Sequence, residues 1–160
     1  MSLRSCSPHD LFVLSEEGRY TNSTKAITPV TAYRLPVSAL RNRLSKDAGL
    51  DFHVICKLCH ELRQAQRHAL LLVRRRALSK VAMFLQLLEQ LQAARGDRTT
   101  EIYLPMNRSE IAGYVGMSPE AVSRAFATLT ARGIIKSRDR RHVKIMDRNG
   151  FDRIAADANA

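Results

Sequence analysis

The chain has 160 residues, of which 45% are hydrophobic, and this composition predicts a packed core and excludes a fully disordered chain. Lys and Arg together number 26 against 15 Asp and Glu, which gives a formal net charge of +11 at pH 7 and an isoelectric point near 10.3. Such an excess of cations attracts polyanions. Nucleic acid is therefore the first candidate partner.

A membrane span is not expected, because the richest apolar run, residues 69–73, is followed at once by three arginines at 74–76. The N-terminus carries no basic stretch followed by an apolar segment and a small-residue cleavage site, so no export signal is predicted. We therefore expect a cytoplasmic protein without a membrane partner.

The first 36 residues are rich in Ser, Thr, Tyr and Val, and partial alternation over residues 26–35 predicts extended, strand-like chain. Pro36 marks the change to helix, which we expect over residues 39–44. Gly49 is expected to interrupt the helical pattern briefly before a long helix begins.

The long helix carries an apolar seam whose members alternate spacings of three and four residues: Ile55, Leu58, Leu62, Ala65, Ala69 and Leu72. Such a heptad pattern is typical of a helix that pairs with another helix. The alternative is that this helix packs on its own domain. Because the preceding region is too small to cover it, we favour pairing with a symmetry mate in a homodimer.

The basic triplet at residues 74–76 is expected to form a hinge between two domains. A second amphipathic helix is predicted over residues 77–94, with its apolar side chains directed inward: Val81, Phe84, Leu85, Leu88 and Leu91. A polar loop over residues 96–100 and a short strand over residues 101–104, stopped by Pro105, should follow.

Two short helices joined by a tight turn are predicted next. Asn107 and Glu110 have the spacing of a capping box, and Gly116 ends the first helix. Ser118 supplies a new N-cap with Pro119 at the first helical position, and the second helix runs to Gly133. This arrangement is a helix-turn-helix.

A β-hairpin is predicted after the second helix. Residues 134–137 and 142–146 should form its strands around a basic tip at residues 138–141. A charged tip can be a merely solvated turn. Its position directly after a helix-turn-helix favours a wing that contacts DNA phosphates.

Glu120, Ser123 and Arg124 have the i, i+3, i+4 spacing that places three side chains on one helix face. Arg can donate two hydrogen bonds to guanine, and Glu can accept one from cytosine. These three residues are therefore the candidate base readers. The alternative is a solvated Glu–Arg pair worth only a few tenths of a kcal/mol.

The segment LPMNRSEIAGYVGMSPEAVSRAFATLTARGII resembles the DNA-binding domain of CRP/FNR transcription factors, and the E-x-x-S-R pattern at Glu120, Ser123 and Arg124 is similar to the FNR/FixK branch. The likeness extends over roughly residues 10–154. It implies a two-fold dimer with recognition helices about 34 Å apart on a palindrome. It also implies a TTGA half-site, in which Glu120 and Arg124 read the C·G pair and Ser123 contacts a neighbouring thymine or the backbone.

The resemblance implies an α+β fold in three parts: a remnant of a β jelly-roll sensor over residues 1–44, a dimerisation helix and hinge over 45–76, and a winged helix-turn-helix over 77–160. Double-stranded DNA is the expected partner, with RNA polymerase as a further one on a surface that the sequence does not identify. The residues expected to contact the DNA backbone are Asn107, Arg108, Ser118, Arg138, Arg140, Arg141, His142 and Lys144.

Departures from the family bear on ligands. The cyclic-nucleotide phosphate cassette has no counterpart, since the corresponding stretch has His9, Asp10 and then residues 23–26 reading STKA. The cysteine cluster that holds an iron-sulfur cluster is missing too. We therefore expect no cofactor, no metal and DNA binding without small-molecule control. With most of the sensor absent, the chain is expected to be a fragment, a shortened gene product or a variant.

Three other interpretations remain open to test. A different winged-helix repressor would need no jelly-roll remnant. A shortened interaction protein could pair through residues 55–72 with a full-length relative without binding DNA productively itself. An enzyme is least expected, because four histidines have no carboxylate or nucleophile at a recognisable motif spacing: His53, His60, His68 and His142.

Cys56 and Cys59 form a C-x-x-C pair that could indicate a redox or metal site. Because they lie within a strong helical pattern, we expect buried structural thiols instead. Cys6 stands alone in the sequence.

Overall fold

A computed structural model describes residues 26, 29–73, 76–96 and 100–156. Its N-terminal part consists of two helices, α1 (Val37–Leu44) and α2 (Ala48–Val73). α1 follows Pro36 as predicted, but the break between the helices lies at residues 45–47, because the Asp47 carboxylate accepts the backbone N–H of Leu50 and so begins α2 before Gly49. The helical pattern therefore continues through Gly49.

The strand predicted over residues 26–35 is wrong for the described part of that segment. Ala26 and residues 29–36 are exposed coil, and no strand among the described residues pairs with them. Alternation alone does not make a strand, because the backbone needs a neighbouring strand to bond. Residues 1–25, 27 and 28 of the predicted jelly-roll remnant, and Arg74 and Arg75 of the predicted hinge, lie outside the described residues.

The C-terminal part is a small α+β domain. It contains α3 (Ala77–Ala94), β1 (Ile102–Tyr103), α4 (Arg108–Val115), α5 (Pro119–Ala131), β2 (Ile135–Ser137), β3 (His142–Ile145) and α6 (Arg148–Ala156). The three strands form an antiparallel sheet in the order β1-β3-β2. This architecture confirms the predicted α+β class and the predicted helix-turn-helix followed by a hairpin.

The core of this domain lies between α3, the two helices of the helix-turn-helix, the sheet and α6. Val81, Phe84, Leu85 and Leu88 of α3 are buried as predicted, whereas Leu91 is only half-buried. α6 was not predicted as a helix. Asp147 Oδ1 accepts the backbone N–H of Gly150 at 2.9 Å, which is the hydrogen bond of an N-cap residue.

Phe151 and Ala155 anchor α6 in the core, and further contacts fix its first turn. The Arg148 guanidinium donates to both carboxylate oxygens of Glu89 on α3 over 2.9–3.2 Å. At Gly150 there is no room for a side chain, since an added Cβ would lie 2.7 Å from the Ile134 side chain.

Within the part of the chain that the structure describes, none of the helices is both long and apolar enough to cross a bilayer.

Candidate nucleic-acid interface

The turn between α4 and α5 consists of Gly116, Met117 and Ser118. Gly116 adopts φ +64°, a left-handed conformation that disfavours side chains, and its N–H donates to the Ala112 carbonyl. Ser118 Oγ accepts the backbone N–H of Ala121 at 3.2 Å and starts α5. The sharp turn therefore has the local causes that the sequence predicted.

The N-terminus of α4 is closed by the predicted capping box. Asn107 Oδ1 accepts the backbone N–H of Glu110 at 2.9 Å, and Glu110 Oε2 accepts that of Asn107 at 2.9 Å. The main-chain N–H of Asn107 is thus already bonded within the protein. Asn107 can therefore contact a DNA phosphate only through its side-chain amide nitrogen.

The three candidate base readers lie together on α5. Glu120, Ser123 and Arg124 are exposed, while the opposite side of the helix buries Val122, Ala125, Phe126 and Leu129. Because α5 is anchored by that buried side, the three polar side chains are presented to solvent from the turn onward, at the end of the helix that is closest to Ser118.

Glu120 is held in its charged form. Its own backbone N–H, the Ser118 hydroxyl and the nearby Arg124 charge lower the pKa of the Glu120 carboxyl below its ordinary value. At neutral pH this side chain can therefore only accept hydrogen bonds, whereas Arg124 can only donate them. The pair offers both halves of the chemistry that distinguishes C·G from other base pairs.

Arg108 is less free than the sequence suggested. Its guanidinium lies over the Phe126 ring, 3.6 Å from the ring centroid, and burial lowers the pKa of Arg108. This cation–π contact ties the start of α4 to α5. Arg108 thus has a structural partner in addition to any phosphate that it could contact.

The wing tip is organised by Asp139. Its Oδ1 accepts the backbone N–H groups of Arg141 at 2.6 Å and His142 at 2.8 Å, and its Oδ2 lies 2.9 Å from His142 Nδ1. The hydrogen bonds from the Arg141 backbone and the His142 ring lower the pKa of Asp139 to about 2. The Asp139 carboxylate therefore fixes the conformation of the tip at residues 138–141, and the tip keeps a net positive charge.

The cations of the wing fall into two groups. Arg138 pairs with Glu101 at 3.0 Å, and Arg141 reaches the Pro105 carbonyl at 3.3 Å. The side chains of Arg140 and Lys144 are exposed and form no hydrogen bond or ion pair with any described residue. The second group is the one whose charge is available to an external anion.

Lys136 is a candidate contact that sequence reasoning missed. It lies directly opposite Lys144 in the β2–β3 register, and both side chains are exposed. Like charges directly opposite each other on a sheet repel. The hairpin predicted from the sequence identifies Lys136 and Lys144 as opposite one another only when the length of its turn is known, because that length sets the strand register.

The predicted dimerisation seam is exposed in the protomer. Ile55 is 51% exposed, Leu58 49%, Leu62 60% and Leu72 42%, and Ala65 and Ala69 are exposed too. On α2 the only described residue that reaches the core is Leu71, which is 3% exposed. A row of large apolar side chains in water is typical of an interaction surface.

The prediction that Cys56 and Cys59 are buried is wrong, because both thiols are exposed. Helical spacing showed that they lie near one another, but it could not show which face of α2 meets the rest of the protein. The face that does so carries His68 and Leu71, and it meets the C-terminal domain only near the end of α2. Cys6 lies outside the described residues.

Comparison with known proteins agrees with this geometry. Residues 79–154 match the family model described as a Crp-like helix-turn-helix domain. The nitrogen fixation regulation protein FixK of Azorhizobium caulinodans is 32% identical over 150 residues, which are 93% of this chain and 60% of that protein. The transcriptional activator protein anr of Pseudomonas aeruginosa is 30% identical over 88% of this chain and 58% of its own length.

A solved structure extends the likeness to three dimensions. FixK2 from Bradyrhizobium japonicum superposes with a TM-score of 0.67 at 30% identity, over 76% of this chain and 59% of that one. These comparisons support a CRP/FNR-type regulator of the FixK branch. They confirm the resemblance inferred from the E-x-x-S-R pattern, and the relatives, which are transcription regulators, agree with the expectation that the chain is not an enzyme. The chain spans 54–61% of the length of the FixK proteins that it matches.

Proposed function

We propose that this CRP/FNR-type chain is a sequence-specific DNA-binding transcription regulator that binds a TTGA-type palindrome as a homodimer. The observation that carries the proposal is the two-sided nature of α5. One face is anchored in the core, and the other presents Glu120, Ser123 and Arg124 to solvent directly after a tight turn. A helix anchored in this way can enter the major groove with its N-terminal residues against base edges.

In this proposal Arg124 donates to guanine O6 and N7, and Glu120 accepts from cytosine N4 of the same pair. Ser123 contacts a neighbouring thymine or the backbone. Arg140 and Lys144 supply phosphate contacts from the wing, supported by their exposure and by their lack of an anionic partner among the described residues. Arg108, Arg138, Arg141 and His142 already have protein partners, so we assign them a smaller share of the binding energy.

The homodimer is supported by the exposed seam on α2. With 26 residues the helix is about 39 Å long, and the seam from Ile55 to Leu72 occupies most of its C-terminal two thirds. Pairing two such seams would remove four large apolar side chains per protomer from water. Because the proposed partner is DNA, we place the protein in the cytoplasm, with RNA polymerase as a further partner.

A second candidate function rests on the same seam. The chain could pair through α2 with a full-length relative and modulate it, because the seam is exposed whatever its partner. Sedimentation velocity of the purified chain distinguishes the two. A dimer that Leu62→Asp converts to monomer, while His60→Asp on the same helix does not, supports the homodimer. A wild-type chain that remains monomeric at micromolar concentration favours the second candidate.

Base reading is tested by Arg124→Ala on duplexes in which the C·G pair of the TTGA half-site is replaced. We expect a loss of about 1 to 3 kcal/mol on the cognate site and a relaxed preference at that pair. Arg132→Ala is the matched control, since it removes another exposed arginine, at the C-cap of α5. Equal losses on cognate and random DNA for Arg124→Ala would refute its role as a base reader.

A further inference from the structure

We propose that His68 is a positioning residue, which fixes the helix-turn-helix relative to α2 and thereby sets the half-site spacing that the dimer accepts. The inference rests on the proposed function, because spacing has meaning only for a dimer on a palindrome. It concerns a side chain that lies neither on the apolar seam nor among the candidate DNA contacts.

The end of α4 shows how His68 acts. The last carbonyl groups of any helix lack partners within it. His68 Nε2 lies 2.9 Å from the Tyr114 carbonyl, and because a carbonyl only accepts, this nitrogen carries the proton and donates. Lys80 Nζ donates to the neighbouring Val115 carbonyl at 3.2 Å. Two helices other than α4 thus bond the last turn before the recognition helix.

The hydrogen bond is reinforced by packing. The His68 ring stacks on the Tyr114 ring with the centroids 4.3 Å apart and the planes inclined by 16°. Leu71, one turn further along α2, is buried in the core. Leu72 reaches the turn itself, where a Cβ added to Gly116 would lie 3.1 Å from its Cδ2. These contacts lie at one end of α2 and join the seam directly to the α4–α5 turn.

The position of His68 explains how its contact with Tyr114 can affect the half-site spacing that the dimer accepts. His68 lies between the seam positions Ala65 and Ala69, so its place relative to the partner helix is set by the pairing of the two α2 helices. A palindrome with one extra base pair moves one half-site by about 3.4 Å and rotates it by about 34°, since B-DNA repeats every 10–10.5 base pairs. A helix-turn-helix domain that is held by the His68 hydrogen bond and ring stack cannot rotate to reach the displaced half-site. Without these contacts the domain can rotate with the half-site.

The test uses three variants in the full chain. His68→Phe keeps an aromatic ring for stacking but removes the donor, and His68→Gln keeps a donor near the Nε2 position but removes the ring. His60→Phe is the control, because the His60 side chain is exposed on the same helix and, within the described part of the chain, contacts Gln64 rather than α4. Each is titrated onto the TTGA palindrome at its natural spacing and with one or two base pairs inserted at the centre, and its dimer is checked by sedimentation.

We expect wild type and His60→Phe to discriminate against the inserted sites, and His68→Phe to lose discrimination on the order of tenfold, since two hydrogen bonds are removed per dimer. His68→Gln should lie between them, with every variant dimeric and unchanged on a single half-site. Undiminished discrimination by His68→Phe would overturn the inference while leaving the proposed function intact. A wild-type chain that shows no preference for the palindrome would instead contradict both the proposed function and this inference.

Discussion

Arg140, at the tip of the wing, allows the clearest separation of phosphate contact from base reading. Its side chain is exposed and forms no ion pair or hydrogen bond with the described chain, so its whole charge is available to DNA. Arg140→Ala removes this charge without breaking the Asp139 hydrogen bonds that shape the tip. We expect it to weaken binding to every sequence equally.

The magnitude follows from counterion release. Each phosphate contact contributes about 0.9 to the slope of log affinity against log salt, so one arginine in each of two protomers contributes about 1.8. Between 50 and 200 mM salt, the wild type should therefore lose about tenfold more affinity than Arg140→Ala. The two proteins should converge as the salt concentration rises.

Fluorescence anisotropy on the cognate palindrome and on a scrambled duplex, each at four salt concentrations, measures both slopes. Arg153→Ala is the charge-matched control, because Arg153 lies on α6 and is also exposed. Its slope should equal that of wild type. An unchanged slope for Arg140→Ala, or a loss confined to the cognate site, would refute the assignment of the tip to phosphate contact.

Three further predictions concern stability and charge. Asn107→Ala should lower the free energy of unfolding by about 1 kcal/mol in urea titrations, and Asn107→Ser should recover most of it, because serine also caps helices; equal losses would contradict the capping role. Burial raises the pKa of Tyr114 to about 12, because the folded protein favours the neutral phenol. The contribution of Tyr114 to the free energy of unfolding is therefore complete below pH 10 and is lost as pH rises from about 10 to 12. Tyr114→Phe should therefore lose about 2 kcal/mol less than wild type over that window, and parallel profiles would contradict this. Lys136→Ala should weaken binding to all duplexes but leave the free chain equally or slightly more stable, since it removes the repulsion with Lys144. A clear loss of stability would contradict that reasoning.

Local signals explain why the helix-turn-helix was predictable from sequence. Asn107 with Glu110, Gly116, and Ser118 with Pro119 each act within four residues, and the structure realises each of them where the sequence places it. The same locality explains the exposed face of α5. Its polar and apolar residues separate at helical spacing, so the candidate base readers could be identified before any tertiary contact was known.

Contacts between distant residues explain what the sequence did not reveal. His68 and Tyr114 are 46 positions apart, and their bond depends on how α2 meets α4. The burial of Cys56 and Cys59 was predicted wrongly for the same reason, because a helical pattern does not say which face a neighbour covers. The absence of a strand at residues 29–36 likewise reflects the need for a partner strand.

The most direct test of the central claim is titration of the purified chain onto a TTGA palindrome and a scrambled duplex at one physiological salt concentration. We expect a preference for the palindrome of about a thousandfold or more, which is usual for specific sites. Equal weak binding to both duplexes would contradict it and would favour a chain that acts by pairing with a full-length relative.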